Sequence, residues 1–332
     1  VDSTKGWLLV DQSKAADIAG QVLFTVATGG TITTCGDFKI HTFTGPGTFC
    51  VSQVGNSPVA PTGGPGNVDY LVVAGGGSGG GGSNYYGGGG GAGGHRTTFP
   101  SPSCNAGAFP ITAQAYPITV GAGGADATSP HQGQANPGSN SIFSSITSAG
   151  GGAGSGQNAG ASGGSGGGAV SNGTLGGAGN TPPVSPSQGN PGGDAQPGNQ
   201  NCNGGGGGGG IAAAGTDVTR SGGPGTGGVT TAGPGGNGSP NSITGSAVTR
   251  AGGGGGGVSL YPPGPGGNSN QHTRGTGGSG GGGDGGSTGP AGGSVATAGS
   301  VNTGSGGGGA GGNPCVGKAG GSGIVIIRYK FQ

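Results

Sequence analysis

The sequence predicts a mostly β protein that also contains a bundle of polyglycine-II helices, with an antiparallel β-region at its N-terminal end and almost no α-helix. Three observations lead to this fold class. Glycine supplies 101 of the 332 residues, whereas its usual share is about 7%. Most of these glycines are gathered into tracts. Short β-like runs frame the tracts at both ends of the chain.

The composition excludes several other classes. Glycine inside an α-helix costs about 1 kcal/mol relative to alanine, so the tracts leave no room for an ordinary α/β enzyme core. Collagen requires glycine at every third position, and the unbroken glycine run 204–210 violates that rule. A net charge of +1 is too small to favour nucleic acid or an anionic membrane. No apolar stretch approaches the roughly 20 residues of a membrane-spanning helix, so we expect no membrane insertion.

Residues 1–60 are the most conventional part, and we expect them to form an N-terminal β-region that serves for attachment. Residues 5–10, 21–27 and 31–34 have the composition of strands, and residues 14–19 could form one helical turn. Because the chain begins at Val1 and contains no Met, we expect it to be a processed product or the C-terminal part of a longer protein.

The segment 38–44 alternates apolar and polar residues, which is typical of an antiparallel strand. The Gly-Pro-Gly turn at 45–47 predicts a hairpin with residues 48–52. On this interpretation Lys39 and His41 lie on a solvated face of the sheet.

Five cysteines occur at scattered positions, without a CxxC motif or the spacing of metal ligands. We interpret them as small buried residues, with at least one thiol that is free or pairs between chains. No bridge is expected between Cys35 and Cys50, because the hairpin register does not place them opposite each other.

Residues 61–323 are predicted to form the glycine bundle with its loops. Two apolar runs adjoin this region, 68–74 near its start and 324–332 after its end. A near-continuous apolar run indicates a strand that is buried on both faces. We expect the closing strand 324–332 to pair with 68–74, which would tie the two ends of the bundle together.

Glycine tracts have no side chains to bury, so their backbone groups must supply the cohesion. Buried N–H and C=O groups need hydrogen-bond partners. The polyproline-II conformation makes no internal hydrogen bonds and has three residues per turn. Helices of this kind without side chains can approach closely enough to bond sideways. Scattered Ala, Ser and Asn are tolerated where they point out of the bundle.

Three segments give the chain a family resemblance: GGTITTCGDFKIHTFTGPGTF at 29–49, VDYLVVAGGG at 68–77 and GGSGIVIIRY at 320–329. With these segments the chain resembles the glycine-rich tail-fibre proteins of bacteriophages, particularly phages of marine bacteria. The architecture is also similar to the polyglycine-sandwich adhesins at the tips of long tail fibres.

The resemblance implies a virion tail-fibre protein, outside the cell, that recognises a host through loops on the glycine scaffold. Its partners would be a bacterial outer-surface receptor, either protein or glycan, and other tail-fibre or virion proteins, with a homotrimer as one possible assembly. The alternatives are a structural virion fibre or decoration protein, and an ice-binding protein. The ice-binding reading needs a flat, regular Thr/Ala face, whereas these tracts and loops are irregular in length.

No catalytic, metal or cofactor motif is recognisable, so we expect neither an enzyme nor a cofactor. The candidate receptor-binding residues are aromatic and basic side chains in polar loops, types that are enriched at binding hot spots. They are Tyr85, Tyr86, His95, Arg96, Phe99, Tyr261, His272 and Arg274. The alternative is that each ring packs over the root of its own loop. Because loops of a chain that folds back repeatedly collect at the ends of a bundle, we expect recognition at the end opposite the β-region.

Overall fold

A computed structural model describes residues 22–57, 64–81, 86–99, 108–127, 135–170, 173–196, 204–220, 229–259, 272–288, 293–311 and 316–332. Within these ranges the regular secondary structure is entirely β, without any helix. The strands are β1 (Val26–Thr28), β2 (Thr31–Cys35), β3 (Phe38–Phe43), β4 (Gly47–Gln53), β5 (Asn67–Val73), β6 (His95–Thr97), β7 (Phe109–Pro110), β8 (Ala115–Thr119), β9 (Ser141–Phe143), β10 (Ile146–Ser148), β11 (Thr219–Arg220), β12 (Thr230–Thr231), β13 (Ser239–Asn241), β14 (Val248–Arg250) and β15 (Ile324–Lys330). The expected strand 5–10 and helical turn 14–19 lie outside the described residues.

Two antiparallel sheets pack face to face as a β-sandwich. One has the order β2-β3-β15-β5-β6, with β7 added beside β5, and the other has the order β1-β4-β8-β9-β10. Large side chains from both inner faces fill the space between them. Phe143 lies at the centre of this core, with its ring 5.1 Å from Phe109 and 5.9 Å from Tyr116. The sandwich draws its strands from segments scattered between residues 26 and 330.

The expected hairpin between 38–44 and 48–52 does not form. β3 pairs with β2 and β15, whereas β4 pairs with β1 and β8 in the other sheet. The turn at 45–47 is therefore a corner between sheets. The physical reason is that Phe43 and Phe49 flank the turn and both enter the core, where they are 3% and 0% exposed. A crossing connection buries both rings between the two sheets.

His41 does not lie on a solvated face, contrary to the expectation from the alternating pattern. It is fully buried between the sheets. Its Nδ1–H donates to the Gly29 carbonyl at 2.7 Å, and its Nε2 accepts from the Tyr329 hydroxyl at 3.2 Å. The face that the pattern marked as polar is thus the inner face. Lys39 on the same strand is half-buried, with its Nζ 5.0 Å from the centre of the Phe331 ring.

β15 lies between β3 and β5 and is antiparallel to both, with Ile324 opposite Val73 and Ile327 opposite Tyr70. Its outer face is also covered, because Leu71, Val73 and Ile326 pack against Ile243 of the β13–β14 connection. The two apolar runs are therefore buried on both faces. Each is continuous with a glycine tract, 74–81 after β5 and 317–323 before β15.

The glycine tracts are joined by backbone hydrogen bonds that recur at every third residue. In the tract 87–94, the N–H groups of Gly87, Gly90 and Gly93 donate to tract 304–311. Gly88 and the residues three and six further on donate to tract 149–155, whereas Gly89 and Ala92 donate to tract 204–210. Successive residues thus face three directions in turn.

Tract 87–94 also accepts hydrogen bonds from three further tracts, so six neighbours surround it. In order around it they are 74–81, 149–155, 163–170, 204–210, 251–258 and 304–311. Each of these six is hydrogen-bonded to the next, which closes the ring. The bundle is therefore hexagonally packed.

The same bonding extends outward to give five rows of two, four, five, four and three tracts among the described residues. The rows are 159–161 and 174–178; then 136–140, 149–155, 163–170 and 190–195; then 121–127, 74–81, 86–94, 204–210 and 213–218; then 317–323, 304–311, 251–258 and 232–238; and finally 294–300, 282–287 and 274–278. A complete hexagon of this size would have three tracts in its first and last rows, so no described tract occupies one corner, which we call the vacant corner.

Close approach of the tracts explains why they consist of glycine. A Cβ added to Gly208 would lie 1.9 Å from the Gly90 carbonyl oxygen, and one added to Gly254 would lie 2.0 Å from that of Gly307. Such distances are far inside van der Waals contact. The expectation that Ala and Ser point out of the bundle is wrong for several tract positions, because Ser165, Ser305 and Ala310 are buried. Ala92 is also buried and packs beside Leu71 on the outer face of the sheet.

Candidate functional site

The bundle has two unlike ends. The sandwich closes the first, where β5 runs into tract 74–81. At the opposite end, which we name the distal end, isolated bridges link the last residues of the tracts: Tyr86 with Gly311, and Val258 with both Gly204 and Ser287. Neighbouring antiparallel tracts such as 74–81 and 86–94 reverse the chain direction here. Segments between such tracts start and finish at the distal end.

The described candidate residues do not form one cluster. Tyr86, His272 and Arg274 lie at the distal end, whereas His95, Arg96 and Phe99 lie in and after β6, next to the sandwich. Tyr85 and Tyr261 fall outside the described residues. The six described candidates are therefore divided between the two ends of the bundle.

At the distal end the described candidate side chains are buried in the glycine bundle or form hydrogen bonds with it. Tyr86 is 7% exposed. His272 accepts a 2.8 Å hydrogen bond from the Thr230 N–H at Nδ1, and burial, together with the charge of Arg220, lowers its pKa. Arg274 donates to the Gly285 carbonyl at 3.2 Å and lies 3.4 Å from Asp284.

Polar side chains are fixed along the distal half of the bundle. Lys318 and Asp126 form an ion pair at 3.1 Å, and the same carboxylate accepts from the Ala319 N–H at 2.7 Å. The Asp217 carboxylate accepts from the Asp194 N–H at 2.8 Å. These carboxylates tie edge tracts together. Across the ranges that the structure describes, no group of three or more His, Cys or Asp side chains could hold a metal ion.

At the sandwich end, His95 is 4% exposed and Arg250 is 6% exposed. Burial, together with the nearby positive charge of Arg250, lowers the pKa of His95 to about 4. The His95 Nε2 and two nitrogens of Arg250 have no hydrogen-bond partner among the described residues. His95 is therefore a neutral, buried side chain at neutral pH.

Phe99 belongs to an aromatic–cation stack that the sequence interpretation missed. The Arg328 guanidinium lies 4.1 Å from the Phe38 ring centre and 4.9 Å from that of Phe99. Arg96, three residues before Phe99, donates to the Thr147 carbonyl at 3.3 Å. No sequence signal could have placed Phe38 and Phe99 beside the same arginine, because they lie on separate segments of the chain.

The described chain thus defines a class of protein in which a lattice of hydrogen-bonded glycine tracts is closed at one end by a β-sandwich. The chain belongs to the glycine-rich domain family, whose model matches residues 51–330. That match takes in the whole bundle and the closing strand. Among curated proteins none matches the chain. In the part of the chain that the structure describes, no helix has the length and apolar character needed to span a bilayer.

Proposed function

We propose that this protein is a bacteriophage tail-fibre adhesin that acts outside the cell, by binding rather than catalysis, and that the distal end of its bundle meets the host surface. Support comes first from the resemblance of the segments 29–49, 68–77 and 320–329 to tail-fibre proteins. Support comes also from the difference between the two ends of the bundle, since the sandwich covers one end and the chain reverses direction at the other.

The observation that carries the proposal is this difference between the ends. Loops on a rigid scaffold are the usual carriers of recognition. The segments 82–85 and 260–271 connect tracts whose described ends lie at the distal end. They contain Tyr85 and Tyr261, which belong to a residue type that dominates binding hot spots. The receptor would be an outer-surface protein or glycan.

We also infer that the tracts are polyglycine-II helices. A period of three in the sideways hydrogen bonds equals the three residues per turn of the polyproline-II conformation. That conformation leaves all N–H and C=O groups free for neighbours. Such a lattice gives the binding loops a stiff base, because each tract is fixed from several directions.

Adsorption to candidate host cells tests the proposal. A double variant with Tyr85→Ala and Tyr261→Ala should weaken adsorption of the labelled protein by up to about a thousandfold, the equivalent of two hot-spot losses of about 2 kcal/mol each. Tyr86 is left intact because it is buried in the bundle. Ile32→Ala, an exposed apolar position on the sandwich, is the matched control.

If the folded double variant adsorbs like the parent, the distal loops do not carry receptor binding. A parent protein that binds no host but assembles into virions would favour a structural fibre or decoration role instead.

A further inference from the structure

The vacant corner of the hexagon is a groove in the side of the bundle. It has a volume of about 680 Å³. Tracts 136–140, 149–155 and 159–161 border it, which are the three tracts that would contact a strand placed at the missing lattice position. The other five corners of the hexagon are each filled by a tract of this chain. The groove therefore lies at the one lattice position of the hexagon that no described tract fills.

On the groove wall, every third backbone N–H of tract 149–155 faces the groove. The N–H of Gly150 donates to the Asn140 side-chain oxygen at 2.9 Å, which closes the groove on the side of the sandwich. Ala153, three residues further on, has an N–H without a hydrogen-bond partner among the described residues. Elsewhere in the bundle, N–H groups three residues apart along one tract donate to the carbonyls of the same neighbouring tract. Ala153 thus offers a donor toward the missing strand.

The lining restricts the chemistry of an occupant. The described residues of the lining are all neutral, among them Asn136, Pro137, Ser155, Asn158 and Ala159. A charged ligand would find no counter-charge there, and an aromatic ring would find no ring to stack on. An extended, uncharged polypeptide would find backbone donors and neutral walls at the lattice spacing.

The filled corners show what sequence such a strand needs. The corner tract 294–300 reads Ser-Val-Ala-Thr-Ala-Gly-Ser and keeps Val295 and Thr297 exposed. A corner strand has only three neighbours, so side chains are tolerated on its outer side, and glycine is needed only where a neighbour approaches closely.

We propose that the groove binds an extended, uncharged polypeptide segment with glycine at about every third residue, supplied by a partner protein. The segment completes the hexagon in the polyproline-II conformation and accepts a hydrogen bond from the Ala153 N–H. This docking site lies on the flank of the bundle and does not depend on receptor binding at the distal end.

The probe is the peptide acetyl-(Gly-Pro-Ser)₃-amide, in which proline favours the polyproline-II conformation. Added at millimolar concentration to the full chain, it should shift the Ala153 amide resonance and slow hydrogen exchange there. The peptide acetyl-(Val-Pro-Ser)₃-amide is the control, because its side chains prevent close approach. No change at Ala153, or equal binding of both peptides, overturns the proposal.

Two matched protein variants locate the site. Ala159→Trp places a bulky side chain in the groove at an exposed position and should weaken peptide binding by about tenfold or more, a loss of about 1.4 kcal/mol. Ala178→Trp, also exposed but outside the groove, should leave it unchanged. Should Ala159→Trp fail to fold, Asn158→Trp replaces it.

Equal binding by the parent and the groove variants rules the site out. Analytical sedimentation measures whether the parent protein forms a dimer. A dimer that the Ala159→Trp substitution dissociates would show that a second copy of the chain fills the groove, contrary to the proposal.

Discussion

The β-sandwich and the glycine bundle both pair their buried backbone groups, but they are stabilised by different means. Phe143 in the sandwich is fully buried among aromatic rings, and burying such a side chain contributes about 1.5–3 kcal/mol. Gly208 in the bundle has no side chain to bury and is fixed by hydrogen bonds to neighbouring tracts. The core of the sandwich is therefore sensitive to a loss of side-chain volume, whereas the interior of the bundle is sensitive to a gain.

The sharpest test of this difference is Gly208→Ala. Its new Cβ would lie 1.9 Å from the Gly90 carbonyl oxygen, so tracts must separate and neighbouring hydrogen bonds must break. We expect a loss of about 4 kcal/mol or more in unfolding free energy, measured by urea denaturation. Gly45→Ala is the control, because a Cβ there meets no atom within 4 Å. A stable Gly208→Ala protein would refute the close packing of the bundle.

Phe143→Ala tests the sandwich in the opposite direction. Removing the ring leaves a cavity among Phe49, Phe109 and Tyr116, and truncation of a buried phenylalanine costs about 3–5 kcal/mol. Thermal and urea unfolding should both show the loss. Val301→Ala at a 72% exposed position should change stability by less than about 0.5 kcal/mol. Similar losses in both variants would mean that the ring is not a core residue.

Acid should weaken the molecule at the junction of the two regions. The pKa of His95 falls from 6.5 to about 4 on folding, so the unfolded chain takes up a proton first as pH falls. The stabilisation is fully present above pH 6.5 and declines toward pH 4, by about 3 kcal/mol at 1.36 kcal/mol per unit. Urea unfolding between pH 7 and pH 4 measures this slope, and His95→Gln should reduce it. An unchanged slope in that variant would assign the acid sensitivity to other groups.

The smallest expected effect lies on the bundle surface. Asp126→Asn removes the ion pair with Lys318, whose side chains are 48% and 29% exposed. Exposed pairs contribute about 0–1 kcal/mol, so the loss should stay within that range and shrink at high salt. The asparagine oxygen can still accept from the Ala319 N–H. A loss comparable to that of Gly208→Ala would show that edge side chains, rather than the backbone, hold the tracts.

The sequence predicted the longer strands but not the short ones, since it assigned the residues of β6 to a loop. The apolar runs 68–74 and 324–332 are recognisable without a structure, because continuous burial demands continuous apolar residues. Alternation in 38–44 correctly separated two faces. The alternation could not show which sheet β4 joins, since a hairpin and a crossing between sheets leave the same residues on each face. It also could not show which face is buried, and we therefore expected His41 on the solvated face.

Which tract neighbours which could not be predicted. Contact between ordinary strands depends on side chains, but the tracts 87–94 and 204–210 are almost entirely glycine and differ little in chemistry. For the same reason the candidate residues could be named but not assigned to an end, and the vacant corner had no signature in the sequence.

The ring around tract 87–94 has a consequence for biosynthesis. Its neighbours reach along the chain as far as tract 304–311, so the centre cannot be enclosed until more than two hundred further residues have left the ribosome. At about 5–20 residues per second that wait lasts roughly 10–40 seconds. Throughout this time the tract must remain solvated. The glycine-rich composition suits such a delay, because a nascent segment without apolar side chains offers little for other chains to adhere to.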